Sequence, residues 1–102
     1  MNEFEAIICI INEGYVDEAM EEAKRHGAKG GTVIKARGTA AKEAEQIFNI
    51  TIQPEKEMVL ILVPTELVDE ILLSLYDKIG TNTDAQGIVF TLPVDKTVGV
   101  SR

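Results

Sequence analysis

At 102 residues with a formal net charge of −7, the chain suffices for one domain with its own core, and its acidity argues against the basic face that nucleic-acid binding requires. Its one cysteine, Cys9, excludes an internal disulfide and a metal site built on paired thiolates, and its one histidine, His26, gives no basis for a Ser-His-Asp or Cys-His apparatus within a single chain. No apolar stretch approaches the roughly 18–20 residues of a membrane span, and Asn-Glu-Phe-Glu after Met1 is not the opening of a signal peptide, so a cytoplasmic protein is expected.

Phe4 to Ile11 is a nearly continuous apolar run rich in β-branched residues, which predicts a strand. Cys9 lies inside it and reads as a buried, inert thiol. Asn12 to Gly14 breaks the run. Tyr15 to His26 then predicts a helix, with Val16, Ala19, Met20 and Ala23 at i, i+3, i+4 and i+7 on one face. Asp17 and Glu18 near its start and Lys24, Arg25 and His26 at its end match the helix dipole, so His26 reads as a capping residue, and Gly27 as the residue that ends the helix.

The stretch Gly27 to Gly38 (Gly-Ala-Lys-Gly-Gly-Thr-Val-Ile-Lys-Ala-Arg-Gly) leaves that helix, presents bare backbone and enters a strand over Thr32–Gly38. With Lys35 and Arg37 on the strand it is the expected ligand edge. A helix cap followed by an ordinary edge strand, on which Lys and Arg discourage wrong pairing, accounts for the same residues and stays open. Thr39 to Gln46 is small, polar and alanine-rich; Ile47 to Ile52 is strand-like; Gln53 to Glu57 interrupts it at Pro54, which cannot donate to a ladder.

Met58 to Val63 is an unbroken apolar run and predicts a central strand. Pro64 and Thr65 open a second helix, Glu66–Ile79, with Leu67, Ile71, Leu75 and Ile79 on one face beside Val68 and Leu72, and Gly80 stops it. Tyr15 and Tyr76 read as helix-packing residues, whereas the adjacent pairs Glu21-Glu22 and Asp69-Glu70 point about 100° apart and read as solvated faces. Thr81 to Gly87 is a polar loop, Ile88 to Val94 a fourth strand and Thr97 to Val100 a short fifth.

The order β-α-β, twice, predicts an α+β fold: a ferredoxin-like βαββαβ sandwich with a short C-terminal strand, residues 1–102 forming a single domain. Both helices should lie on one face, with the first and third strands central. Yet neither Ala6–Ile11 nor Met58–Val63 alternates apolar and polar residues, so both faces of the central strands should be buried. Self-association is the economical cover for the second face; the pattern leaves the number of subunits open.

In order and spacing, three segments resemble the PII (nitrogen regulatory protein P-II) signal-protein superfamily: Gly27–Gly38, Met58–Leu75 and Gln86–Val94 with Thr97–Val100. The resemblance implies a trimer with its sheets facing inward, a cleft between subunits for a small effector, commonly an adenine nucleotide (ADP, AMP or ATP), and no enzymatic activity or required cofactor. It also implies a T-loop, about Thr39 to Lys56, that contacts a partner such as a membrane transporter or a metabolic enzyme. Carried over, Thr32, Gly38 and Leu62 would line the adenine and ribose side, Gln86 and Gly87 would border the phosphate loop, and Lys35 and Arg37 would be the remaining cations. No catalytic or metal-ligating residue follows from it.

The departures are specific. Where the family has Gly-Asp-Gly-Lys after the second helix, this chain has Asp84-Ala85-Gln86-Gly87, and where the family has Arg-x-Arg in its last strand, this chain has Gly99-Val100-Ser101 with Arg102 beyond. Three cations are thus missing, each worth roughly 1.5–3 kcal/mol to a phosphate, so ATP binding at a conventional site should be weak. The T-loop is shorter, and Asn49 stands in place of the tyrosine modified in some members. The alternative is a CutA-like structural or metal-tolerance trimer without nucleotide binding. That type calls for a continuous long hairpin and aromatic-rich strands, whereas this chain has Thr39-Ala-Ala-Lys-Glu-Ala and only five aromatic residues. A small enzyme on the same scaffold is a third reading, for which no site can be assembled.

Overall fold

The computed structural model describes residues 3–39, 45–47 and 53–101. The apolar run at the start becomes β1 (Phe4–Asn12), and the second such run becomes β3 (Glu55–Pro64). These two strands pair antiparallel from Phe4↔Pro64 to Asn12↔Lys56 and form the centre of a four-stranded sheet. Outside them lie β2 (Thr32–Arg37), paired to β3, and β4 (Ile88–Pro93), paired to β1, giving the order β2-β3-β1-β4. This is the ferredoxin-like arrangement, with all neighbours antiparallel.

The two helices, α1 (Val16–Arg25) and α2 (Val68–Ile79), the latter entered through a 3₁₀ turn at Thr65–Leu67, cover one face. The core is the layer between: Ile7, Cys9 and Ile11 of β1 and Val59, Ile61 and Val63 of β3 against Ala19, Ala23, Ile71, Leu75 and Ile79, all fully buried. Burying one such isoleucine or leucine contributes about 1.5–3 kcal/mol. Burial pushes the Cys9 thiol up to about 12, so it is an inert core group, as its setting in the sequence suggested.

Several expectations need correction. The β3 strand begins at Glu55, not Met58. Pro54 stands just outside the ladder, where its carbonyl accepts from the Gly38 N–H at 2.7 Å, so it closes the β2–β3 pair instead of interrupting a strand. The short C-terminal strand over Thr97–Val100 does not form. Gly99 turns at φ 90° and Val98 is fully exposed, so the segment has neither the extended backbone nor a paired neighbour among the described residues. Ile47, expected to start a strand, is helical together with residues 45 and 46; the rest of that expected strand, 48–52, lies outside the described residues. Tyr15 packs against the core as expected, but Tyr76 is 54% exposed on the outer side of α2.

Candidate functional site

The chain forms a cleft where β2 has not yet begun. Because Thr32 is opposite Leu60, the outer edge of β3 beyond it is lined by the Gly27–Gly31 connection instead of by a strand. The result is a cleft of about 370 Å³ bounded by Gly27–Thr32 except Ala28, by Leu60, Leu62 and Pro64 of β3, by Leu67, and by Gly99–Ser101. That volume falls at the lower end of small-molecule sites, about 300–1,000 Å³. One wall is aliphatic; another is exposed glycine backbone, whose amide and carbonyl groups carry no shielding side chain.

The glycines are there for distinct reasons. A Cβ on Gly31 would stand 3.0 Å from Met20 Sδ and 3.1 Å from the Leu60 carbonyl oxygen, so the backbone lies directly on α1 and β3. Gly27 has φ 110°, which glycine tolerates and branched residues do not.

Along β2 the chain leaves the cleft. Lys35 lies opposite Glu57 and Arg37 opposite Glu55, and the Lys35 ammonium sits 3.5 Å from Glu13 Oε2. Each cation on this strand therefore has a carboxylate-bearing neighbour. Gly38 ends the strand, with Lys56 Cε 3.2 Å from where its Cβ would be.

The stretch in place of the phosphate loop lies on the opposite edge, leading into β4. Gln86 adopts φ 48°, an uncommon conformation for a residue with a side chain. A Cβ on Gly87 would collide with the Ile79 carbonyl oxygen and stand 2.7 Å from Ile11 Cγ2. The Gly87 N–H is held by that same Ile79 oxygen at 2.8 Å. A lysine at this position would require the backbone to move, which gives a packing reason for the glycine.

Behind this loop lies a buried polar node. Asn12, 5% exposed at the end of β1, accepts from Lys56 Nζ at 2.6 Å. Its amide nitrogen donates to the Asp84 carbonyl at 3.0 Å and to Gln86 Oε1 at 3.3 Å, and its backbone N–H donates to the Ala85 carbonyl at 2.9 Å. One asparagine thus ties the start of β3 to the 84–87 loop. Beside that loop a second hollow of about 400 Å³ is lined by Leu72, Leu73, Tyr76, Thr81 and Gly87–Val89, none of them charged.

Of the residues named from the sequence, Thr32 and Leu62 come together in the cleft. Lys35, Arg37 and Gly38 run away from it toward the far end of β2, and Gln86 and Gly87 lie across the sheet beyond β1. Within one chain they form no single site. The sequence reading missed Lys29, the charged side chain of the cleft, although it stands between Gly27 and Gly30; it also missed Asn12 and Lys56. The signal available for Asn12 is a polar residue closing an apolar strand, which reads equally well as a simple break.

Away from these loops, Glu22 joins the helices. Ser74 Oγ donates to its carboxylate at 2.6 Å, with Arg25 at 3.7 Å. That hydrogen bond, helped by the charges of Arg25, Lys78 and His26 and opposed by burial, holds the carboxyl below its ordinary range. His26 does cap α1, its N–H donating to the Ala23 carbonyl and the following Gly27 N–H to that of Lys24, while its Nδ1 lies 3.2 Å from Glu70 of α2. Glu22 and Glu70 therefore act between helices instead of only facing solvent.

A four-stranded antiparallel sheet in the order β2-β3-β1-β4 with both helices on one face places the chain in the class of ferredoxin-like α+β domains. The chain matches the family model for nitrogen regulatory protein P-II over residues 4–102 and belongs to that family, the PII-like regulatory proteins of signal transduction. Its fold is similar to that of Arabidopsis thaliana PII bound to citrate (TM-score 0.73, 19% identity, covering 98% of this chain and 82% of that one). It is similar also to a PII-like signalling protein from Thermus thermophilus (TM-score 0.69, 22% identity, 91% and 87% covered). A third similar structure is the B. subtilis GlnK–ATP complex (TM-score 0.70, 14% identity, 92% and 84% covered). At these identities the likeness speaks for the fold. No curated protein matches the sequence. No helix among the described residues is long and apolar enough to cross a membrane.

Proposed function

We propose that this chain is a PII-like regulator that assembles as a homotrimer, binds a small effector in the cleft between subunits and controls a partner protein through its 39–56 loop. The reading assigns no catalytic step to the chain and places it in the cytoplasm. The observation that carries it is the helix-free face of the sheet. Side chains alternate along a strand, so Ile8, Ile34, Leu60, Leu62, Ile88, Phe90 and Leu92 share that face. Ile34, Leu62, Ile88, Phe90 and Leu92 are 36–50% exposed in the single chain. An apolar surface spread over four strands favours a protein partner, and a second and third copy of the chain supply one of matching chemistry.

Such an assembly would also explain the division of the candidate site. Thr32 and Leu62 stand on one edge of the sheet and Gln86 and Gly87 on the other, so one chain's cleft can meet a neighbour's 84–87 loop. Effector binding at such a junction would feel both subunits, and the loop after β2 would carry the change to a transporter or a metabolic enzyme. The CutA-like alternative gains nothing from the described β2–β3 ladder, whose end pair is Arg37↔Glu55.

The test is the mass of the purified chain by light scattering, followed by calorimetric titration with adenine nucleotides and a screen of small metabolites. A trimer that binds one of them saturably supports the reading. A single-chain mass at micromolar concentration, or a trimer that binds nothing in the screen, sinks it.

A further inference from the structure

We infer that the Gly27–Thr32 cleft selects a ligand of low negative charge, a nucleoside or nucleoside monophosphate, over the di- and triphosphate; the inference rests on the effector-binding reading above. The cleft has the chemistry of a base-and-sugar site. Leu60, Leu62, Pro64 and Leu67 offer an aliphatic surface for a flat ring, and the exposed backbone of Gly30 and Gly31 offers hydrogen-bond donors and acceptors at close range. Among its lining residues Lys29 alone is charged.

Among the described residues, the charges along β2 and at the start of β3 are paired with carboxylates or already engaged. A ligand extended along β2 would reach Lys35 and Arg37 only beside Glu57, Glu55 and Glu13. The ammonium of Lys56 is held by Asn12 Oδ1 at 2.6 Å. On the opposite edge, Gly87 has no room for a cationic side chain, since its Cβ position is filled by the Ile79 oxygen and Ile11 Cγ2. The segment that completes the cleft, Gly99-Val100-Ser101, is uncharged. One phosphate can be matched by Lys29. A second and third would enter a field set by carboxylates on a chain of net charge −7.

The experiment is calorimetric titration of the intact protein with adenosine, AMP, ADP and ATP, the last two with and without excess Mg²⁺, for the parent chain and for Lys29→Gln. Lys29 is exposed on a connection between elements, so its replacement should leave the fold intact, which circular dichroism checks. The expected result is AMP binding at least tenfold tighter than ATP under either condition, with Lys29→Gln bringing AMP to within about threefold of adenosine. ATP binding as tightly as AMP or tighter overturns the inference while leaving an effector-binding PII-like protein in place. An AMP affinity unchanged by Lys29→Gln overturns the role of Lys29 and with it the charge argument. No binding by any of the four to an intact trimer overturns the inference; the metabolite screen then decides whether effector binding fails with it.

Discussion

The two faces of this sheet are made from the same strands and have opposite fates. On the face toward the helices, Ile7, Cys9, Ile11, Val59, Ile61 and Val63 are 0% exposed. On the other, Ile34 keeps 45%, Phe90 41% and Leu92 49% of its surface in water. Composition does not separate them, since β-branched and aliphatic residues fill both. What separates them is whether the chain itself supplies a cover. The covered face is where the fold gets its stability; the bare face is where an assembly would get its own. That division is open to experiment from either side.

The largest effect should come from the covered face. Ile61→Ala opens a cavity under both helices and should cost about 2–5 kcal/mol of stability, read as a shift of the urea midpoint. The matching change on the bare face is Phe90→Glu. It should leave the circular dichroism spectrum intact and reduce the light-scattering mass toward that of a single chain. If Phe90→Glu keeps the parent's mass, the bare face is not the interface. If Ile61→Ala unfolds no more easily than the parent, the division between the faces is wrong.

A smaller effect is expected where the covered face meets the 84–87 loop. Gly87→Lys restores the residue type that the family resemblance called for, but the added Cβ runs into the Ile79 carbonyl and Ile11. It should lower stability by about 1–3 kcal/mol without creating an ATP site. A variant as stable as its parent that gains tight ATP binding would show that the glycine was incidental.

The sheet order, the placement of both helices and the covering of one face were legible because they depend on period: 3.6 for Val16, Ala19, Met20 and Ala23, and the lack of a period of 2 in Met58–Val63. The end of the chain was not legible in the same way. Thr97-Val98-Gly99-Val100 has strand-forming residues, but a strand requires a neighbour, and β-propensity does not say whether one is there. Of the candidate site, Thr32 and Leu62, named through the family resemblance, line one cleft, and the glycines before Thr32 mark its turn. Asn12 and Lys56 could not be read from the sequence, because they meet only through the β1–β3 register, across 44 residues of sequence. Neither could the pairing of Lys35, since Glu13 approaches it from the turn after β1 and Glu57 stands opposite it on a different strand.

The subtlest difference should be seen outside the sheet, where the helix layer that makes one face the covered one is joined by Ser74 and Glu22. The hydrogen bond from Ser74 holds the Glu22 carboxyl below its ordinary range. A carboxyl depressed in the folded state contributes stability that is present above its unfolded value, near 4.5, and lost as pH falls through the folded one. Ser74→Ala removes the main cause of the depression. The variant should therefore be less stable than the parent at pH 7, and the gap between their urea midpoints should close as pH is lowered below 4.5, where Glu22 becomes protonated in both. A gap of constant size from pH 7 to pH 3 would mean that Ser74 acts by packing alone. In that event the helices are held over the covered face by apolar contact, and the carboxylate between them contributes nothing that pH can remove.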